Sequence, residues 1–203
     1  MPEPFQLSVA EAAGEIRQGN LSPVELAQSL LARIDALDPS LKAWVTIDRE
    51  EVLSTAKERE EEARQGKSRG LLHGVPVGLK DIFYTAGMKT AAGSKVYADF
   101  VPDFDATTVA KIKEAGGIIL GKAVTTEFAT FNPGKTRNPH NSGHTPGGSS
   151  SGSGAAVGDY MVPLAFGSQT AGSLIRPAAF CGAYGLKPTH GTVDLSGILP
   201  LEA

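Results

Sequence analysis

The stretch Asp105–Val124, "DATTVAKIKEAGGIILGKAV", decides the fold class. Its first half is helix-like, two glycines interrupt it, and a short apolar run follows, again bounded by glycine. A helix that feeds a short buried strand predicts a parallel sheet with helical crossovers. Upstream, "GVPVGLKDIF" (74–83) reads as a second strand of the same kind, and downstream "MVPLAFG" (161–167) and "AYGLKPT" (183–189) read as two more.

Before Gly74 the chain reads as helices whose starts are written in capping chemistry. Ser8 with Glu11, and Ser22 with Glu25, fit the box in which a hydroxyl and a carboxylate reciprocally satisfy orphan backbone donors. Pro23 takes the favoured first helical position. Leu26, Leu30, Ile34 and Leu37 then recur at helical spacing, and Pro39 is expected to close the element. Asp48 with Glu51 opens a third helix, expected to end near Gly66. Its stretch "KEREEEARQGK" is charged almost all round and reads as a solvated face. The expectation is one domain over 1–203, with a helical segment at 1–70 and the sheet region at 71–203.

With 203 residues, 41% of them hydrophobic and 20% charged, the chain has the composition of a globular domain able to bury a core. A net charge of -3 supplies no basic field for nucleic acid. No apolar run approaches the roughly 18 to 20 residues of a membrane span, and the N-terminus has neither the basic nor the apolar region of a secretory signal. The single cysteine, Cys181, fits a reducing compartment, so a cytoplasmic protein is expected.

Several motif matches fail on inspection. "GGIILGKA" places Gly116, Gly121 and Lys122 almost as a phosphate loop requires, but Ala123 stands where a magnesium-binding hydroxyl is needed, so a buried strand is expected instead. "NPGKT" fails because Ala129 replaces the leading glycine. Gly152, Gly154 and Gly158 resemble a dinucleotide fingerprint, and Gly148, Ser150 and Gly152 a nucleophile elbow. Both motifs need a strand immediately before them, whereas "RNPHNSGHTP" is turn chemistry. Cys181, between Phe180 and Gly182, reads as a packed thiol. His140 and His144 lie in a loop without a neighbouring carboxylate or cysteine and read as ordinary loop histidines.

Lys80 is different, because it lies inside the apolar run "VPVGLKDIF". Burial of an ammonium is costly and drives lysine towards the neutral amine, which can accept a proton. The alternative is an ion pair with Asp81, although on a strand the next residue points to the opposite face.

Three blocks, "GVPVGLKD", "TPGGSSSGS" and "PLAFGSQTAGSLIRPAAFCGAYGLKPT", occur in the order found in the amidase signature hydrolases, and the chain resembles that family. The resemblance implies a mixed, mostly parallel sheet with helices on both faces, and no metal or organic cofactor. It also implies a Ser-Ser-Lys triad: Lys80 as the base, Ser149 as the bridging serine after a cis Gly148–Ser149 bond, and Ser173 as the nucleophile. The backbone N–H groups of Thr170, Ala171, Gly172 and Ser173 match the family's oxyanion hole. Ser150, Ser151 and Ser153 are expected to support rather than react. By this resemblance the serine-rich segment Pro146–Gly158 is the floor of a site, not a linker. The implied activity is hydrolysis of a small-molecule carboxylic amide through a serine acyl-enzyme.

The family's commonest spelling, "DTGGSIR", has an aspartate where this chain has Gln169, and its arginine falls one place earlier than Arg176. An aspartate–arginine pairing therefore does not transfer, and Gln169 is expected to work through its amide. The same spelling argues against the family's tRNA-linked amidotransferase subunits. Members of the family are also much longer, so a fragment or truncated gene product is expected, whose partner is either the missing C-terminal half or another copy in a homo-oligomer. A non-catalytic binding or assembly module is the rival from another class.

Overall fold

The computed structural model describes residues 3–200. The helices α1 (Val9–Gln18) and α2 (Pro23–Leu41) begin at Ser8 and Ser22, and both capping boxes are formed. Next come β1 (Trp44–Thr46) and α3 (Arg49–Arg64), the latter opened by Asp48, whose carboxylate accepts from Glu51 N at 3.0 Å. Strand β2 (Pro76–Lys80), α4 (Thr107–Glu114) and β3 (Ile118–Ala123) form the expected crossover unit. The chain continues through α5 (Ser151–Gly158), β4 (Ala165–Phe166) and α6 (Ile175–Cys181).

The sheet runs β1-β3-β2-β4, with β2 parallel to both β3 and β4 and β1 antiparallel to β3. Mixed and mostly parallel, it has α2, α3 and α5 on one face and α4 on the other, as the buried clusters record. Ala27, Leu31 and Ile34 of α2 meet Val52 and Ala56 of α3 and Ala155 and Ala156 of α5 on the first face. On the second, Val109 and Ile112 of α4 pack against Val77 and Leu79. Each such fully buried aliphatic side chain contributes on the order of 1.5–3 kcal/mol relative to exposure.

One irregularity decides where the lysines point. Between the pairs Val77–Ile119 and Gly78–Gly121, β3 contains one residue more than β2, so Leu120 is a bulge. Beyond it Lys80 pairs with Ala123 and Leu79 with Lys122. Paired residues share a face, so the two lysines leave the sheet on opposite sides.

Four expectations need correction. Residues 183–189 are not a strand: Tyr184 and Leu186 are exposed, and among the described residues no strand pairs with this segment. Pro39 does not end α2, which runs on to Leu41 and stops at Lys42 with φ +58. In the last turn a proline forfeits only one intrahelical bond, so the helix tolerates it there. The solvated face of α3 is interrupted by Arg59, which is 5% exposed and bonds Glu62 Oε2 at 2.9 Å. Finally, β1 lies inside the segment read as purely helical, and its Trp44 joins the core with α2 and α5, so that segment and the sheet share one core.

Candidate active site

Lys80 is the last residue of β2 and is completely buried. Its Nζ lies 2.7 Å from Ser149 Oγ and 2.8 Å from Ser168 Oγ. Burial brings its pKa down from 10.5 to about 7, so near neutrality a large fraction of the amine is uncharged. The Asp81 alternative is not formed: the oppositely charged group that acts on Asp81 is Lys122, on the far side of the sheet.

The serine-rich segment divides into a turn and a helix. Gly147 adopts φ +77, which favours glycine, and the Gly148–Ser149 peptide bond is cis. Ser149 is buried, and its carbonyl accepts from Thr126 N at 3.2 Å. From Ser151 the chain enters α5, which lies so close to the sheet that a Cβ on Gly152 would stand 2.2 Å from Ala43 O and 2.4 Å from Val124 N. The small side chains of "SGSGAAVG" are what allow this approach. Ser151 Oγ donates to Val124 O at 3.2 Å and Ser153 Oγ to Phe166 O at 3.0 Å, so both hydroxyls tie α5 to strands or their ends.

Ser150 joins the serine turn to the segment carrying Ser173. Its backbone N donates to Ser173 O at 3.0 Å. Its hydroxyl accepts from Ser168 N and donates to Ser168 O, each at 3.2 Å. These contacts bring Ser149, Ser168 and the 168–173 segment to one place at the C-terminal end of β2. Among the described residues no hydrogen bond joins the hydroxyls of Ser149 and Ser173.

Gln169 closes the loop around Ser173. Its Oε1 accepts from Leu174 N at 3.0 Å and Ile175 N at 2.9 Å, capping the start of α6. The N–H groups of Thr170, Ala171, Gly172 and Ser173 donate to no acceptor among the described residues. Four successive free donors at a partly exposed bend can bind an oxyanion. Arg176 lies over Gly172, where a Cβ would be 2.9 Å from its guanidinium, and it forms no salt bridge among the described residues.

Ser168 is a site residue that no motif announces. Its only signal is a hydroxyl five positions before Ser173 (173 − 168 = 5), in "GSQTAGS". Cys181 is buried, and burial pushes its thiol up to about 12, which leaves it unreactive. His140 stands against Gly182, where a Cβ would be 2.8 Å from its Nε2. Among the described residues no helix is long and apolar enough to cross a membrane.

Comparison with known proteins places this geometry in context. The family model described as Amidase matches residues 25–203. Over 203 aligned residues the chain is 42% identical to a glutamyl-tRNA(Gln) amidotransferase subunit of Geobacter metallireducens, covering 97% of this chain and 42% of that protein. It superposes on the native peptide amidase of Stenotrophomonas maltophilia with a TM-score of 0.92 and 41% identity, covering 98% of this chain and 44% of that one. An amidase family protein from Bacillus anthracis str. Ames gives a TM-score of 0.89 and 35% identity over 96% of this chain and 41% of that one. The chain spans about two fifths of the length of the curated relatives it matches. The tRNA-linked amidotransferase subunits, against which the spelling at Gln169 speaks, are thus among the proteins this chain is similar to.

Proposed function

The chain belongs to the amidase family, and on that premise we propose that it carries the catalytic centre of an enzyme that hydrolyses carboxylic amides through a serine acyl intermediate. Lys80 is the base, Ser149 the relay and Ser173 the nucleophile. The observation that carries the reading is the Lys80 amine, fully buried and 2.7 Å from the Ser149 hydroxyl.

The chemistry follows from those groups. A neutral amine has one lone pair and two N–H donors. Ser168 Oγ accepts one N–H, which turns the lone pair towards Ser149. As Ser173 Oγ forms its bond to the amide carbon, its proton passes to Ser149 Oγ, whose own proton passes to Lys80. The carbonyl oxygen becomes an oxyanion held by the N–H groups of residues 170 to 173, where one such donor is worth about 3 kcal/mol. Collapse breaks the C–N bond, and the proton returns along the same path to the leaving nitrogen. Water then enters by the same relay and releases the carboxylate. In the reacting complex the Ser173 hydroxyl closes on Ser149, because catalytic hydrogen bonds commonly tighten only with substrate in place. A reducing cytoplasm suits the lone, buried Cys181.

A second reading is favoured by the similarity to glutamyl-tRNA(Gln) amidotransferase subunits. There the same centre would release ammonia from glutamine for use with partner subunits. Ammonia release distinguishes the two. An independent amidase turns over small amides or peptide amides alone, with loss of activity in Ser173→Ala, whereas an amidotransferase subunit stays silent until glutamine and its partners are supplied. Turnover of either kind that survives Ser173→Ala would refute both.

A further inference from the structure

Lys80 shares the interior with a second lysine. Lys122 is also fully buried, on β3, and leaves the sheet on the face away from Lys80. Its ammonium donates to Phe83 O and, at 3.2 Å, to Thr85 Oγ1. Asp81, likewise fully buried, and Asp105 both act on its charge, and Asp105 also accepts from Ala86 N at 2.9 Å and Lys113 Nζ at 2.6 Å. Burial raises the Asp81 carboxyl to about 6, while the Lys122 charge and the backbone N–H groups of Ala91, Gly93 and Ala92 act the other way and favour the carboxylate.

Hydrophobic packing alone would be served by an apolar residue at 122, since replacing buried charges by well-packed apolar groups is often neutral or stabilising. What the cation adds is its attachment to the turn immediately after Lys80. In that turn Ile82 N and Phe83 N both donate to Lys80 O, at 2.7 and 3.1 Å, and Asp81 N donates to Ala123 O at 2.9 Å. Phe83 O is the carbonyl that Lys122 fastens. The backbone from which the long Lys80 side chain departs is therefore held by β3 on one side and by the Lys122 ammonium on the other. A displacement of about 1 Å at a reacting group can cost on the order of a hundredfold in rate.

We propose that Lys122 is a positioning residue for Lys80: by fastening Phe83 and Thr85 it fixes the turn after β2, and so keeps the Lys80 amine on Ser149 and Ser168. The proposal rests on the assignment of Lys80 as the base. The test is the paired variant Asp81→Asn/Lys122→Met, which removes both charges and leaves no lone ion buried. Two quantities are read on the full chain: the protonation midpoint of Lys80, by NMR of 13Cε-labelled lysine assigned with Lys80→Met, and the rate at which a fluorophosphonate labels Ser173. With the turn released, the amine gains access to water, so its midpoint rises by about one unit or more and labelling slows about tenfold. A folded paired variant whose Lys80 titrates as in the wild type overturns the proposal. If that variant does not fold, Thr85→Val decides: without changing charge it removes the hydroxyl that accepts from Lys122 and itself donates to Phe83 O at 3.1 Å, and an unchanged Lys80 midpoint is equally fatal. Absence of wild-type labelling would instead sink the amidase reading, and the titration would still report on Lys122.

Discussion

Lys80 Nζ and Ser149 Oγ lie 2.7 Å apart in a fully buried contact, although their Cα atoms belong to a strand end and a turn 69 positions apart in the chain. Strand β2 delivers the amine, the glycine turn delivers the hydroxyl, and α5 keeps that turn against the sheet. Each link can be perturbed separately.

The first prediction concerns stability and pH. The Lys80 pKa is about 7 in the folded chain against 10.5 for an ordinary lysine, so between those values the unfolded chain holds more protons. Stability must therefore rise as pH increases from about 7 to about 10.5. Lys122 contributes with the same sign, because burial lowers its pKa as well. Urea unfolding at several pH values should show this slope, and Lys80→Met should make it shallower. An equal slope in the variant would mean that Lys80 is charged in the folded chain.

Removing the second partner of the amine should cost rate rather than fold. Ser168→Ala deletes the acceptor 2.8 Å from Lys80 Nζ and leaves Ser149 in place. One hydrogen bond is worth about 1 kcal/mol, so acylation of Ser173 should slow roughly five- to tenfold with little change in Tm. A wild-type acylation rate would show that Ser168 does not orient the amine.

Ser150 should behave in the opposite way. Its hydroxyl binds both the N and the O of Ser168 and is itself buried. Ser150→Ala leaves those backbone groups short of a partner and should destabilise the chain by about 1–3 kcal/mol, seen as a lower urea midpoint. A fluorophosphonate should still mark Ser173 in this variant. Loss of all labelling with an unchanged unfolding midpoint would make Ser150 the reacting serine.

Gln169→Met should strip two N–H groups of their acceptor at the start of α6. Loss of a helix cap costs about 0.5–2 kcal/mol. Because the same side chain closes the loop bearing Thr170 to Ser173, turnover should fall along with stability. Gln169→Glu, which retains a carbonyl oxygen in the same place, should recover most of both. Failure of that rescue would separate the cap from the loop.

The sequence disclosed some of this more readily than the rest. Capping boxes at Ser8 and Ser22 and the glycine-bounded runs around Lys80 and Lys122 are local signals, and the elements they announce are present. Strand β1 has three residues and no readable period, so only its pairing with β3 makes it a strand. The segment "AYGLKPT" has the texture of a strand but finds no partner strand among the described residues. Helix α5 is built from serine, glycine and alanine with the single valine Val157, which make no apolar stripe, and it exists because small residues fit against the sheet. Lys80 was legible because a lysine in an apolar run is anomalous. Lys122 lies in an equally apolar run, but there the near-match to a phosphate loop masks the same anomaly. Ser168 has only its hydroxyl near Ser173 to mark it, since its role depends on a contact 88 positions away.

The proposed chemistry stands on activation of Ser173 by a neutral Lys80 acting through Ser149. Its most direct test is the pH dependence of fluorophosphonate labelling, mapped by peptide mass spectrometry, in the wild type and in Lys80→Ala. A neutral relay base requires modification of Ser173 that rises with a midpoint near 7, as the amine loses its proton, and that falls by orders of magnitude in the variant. Labelling that is flat with pH, or equally fast without the lysine, would contradict it.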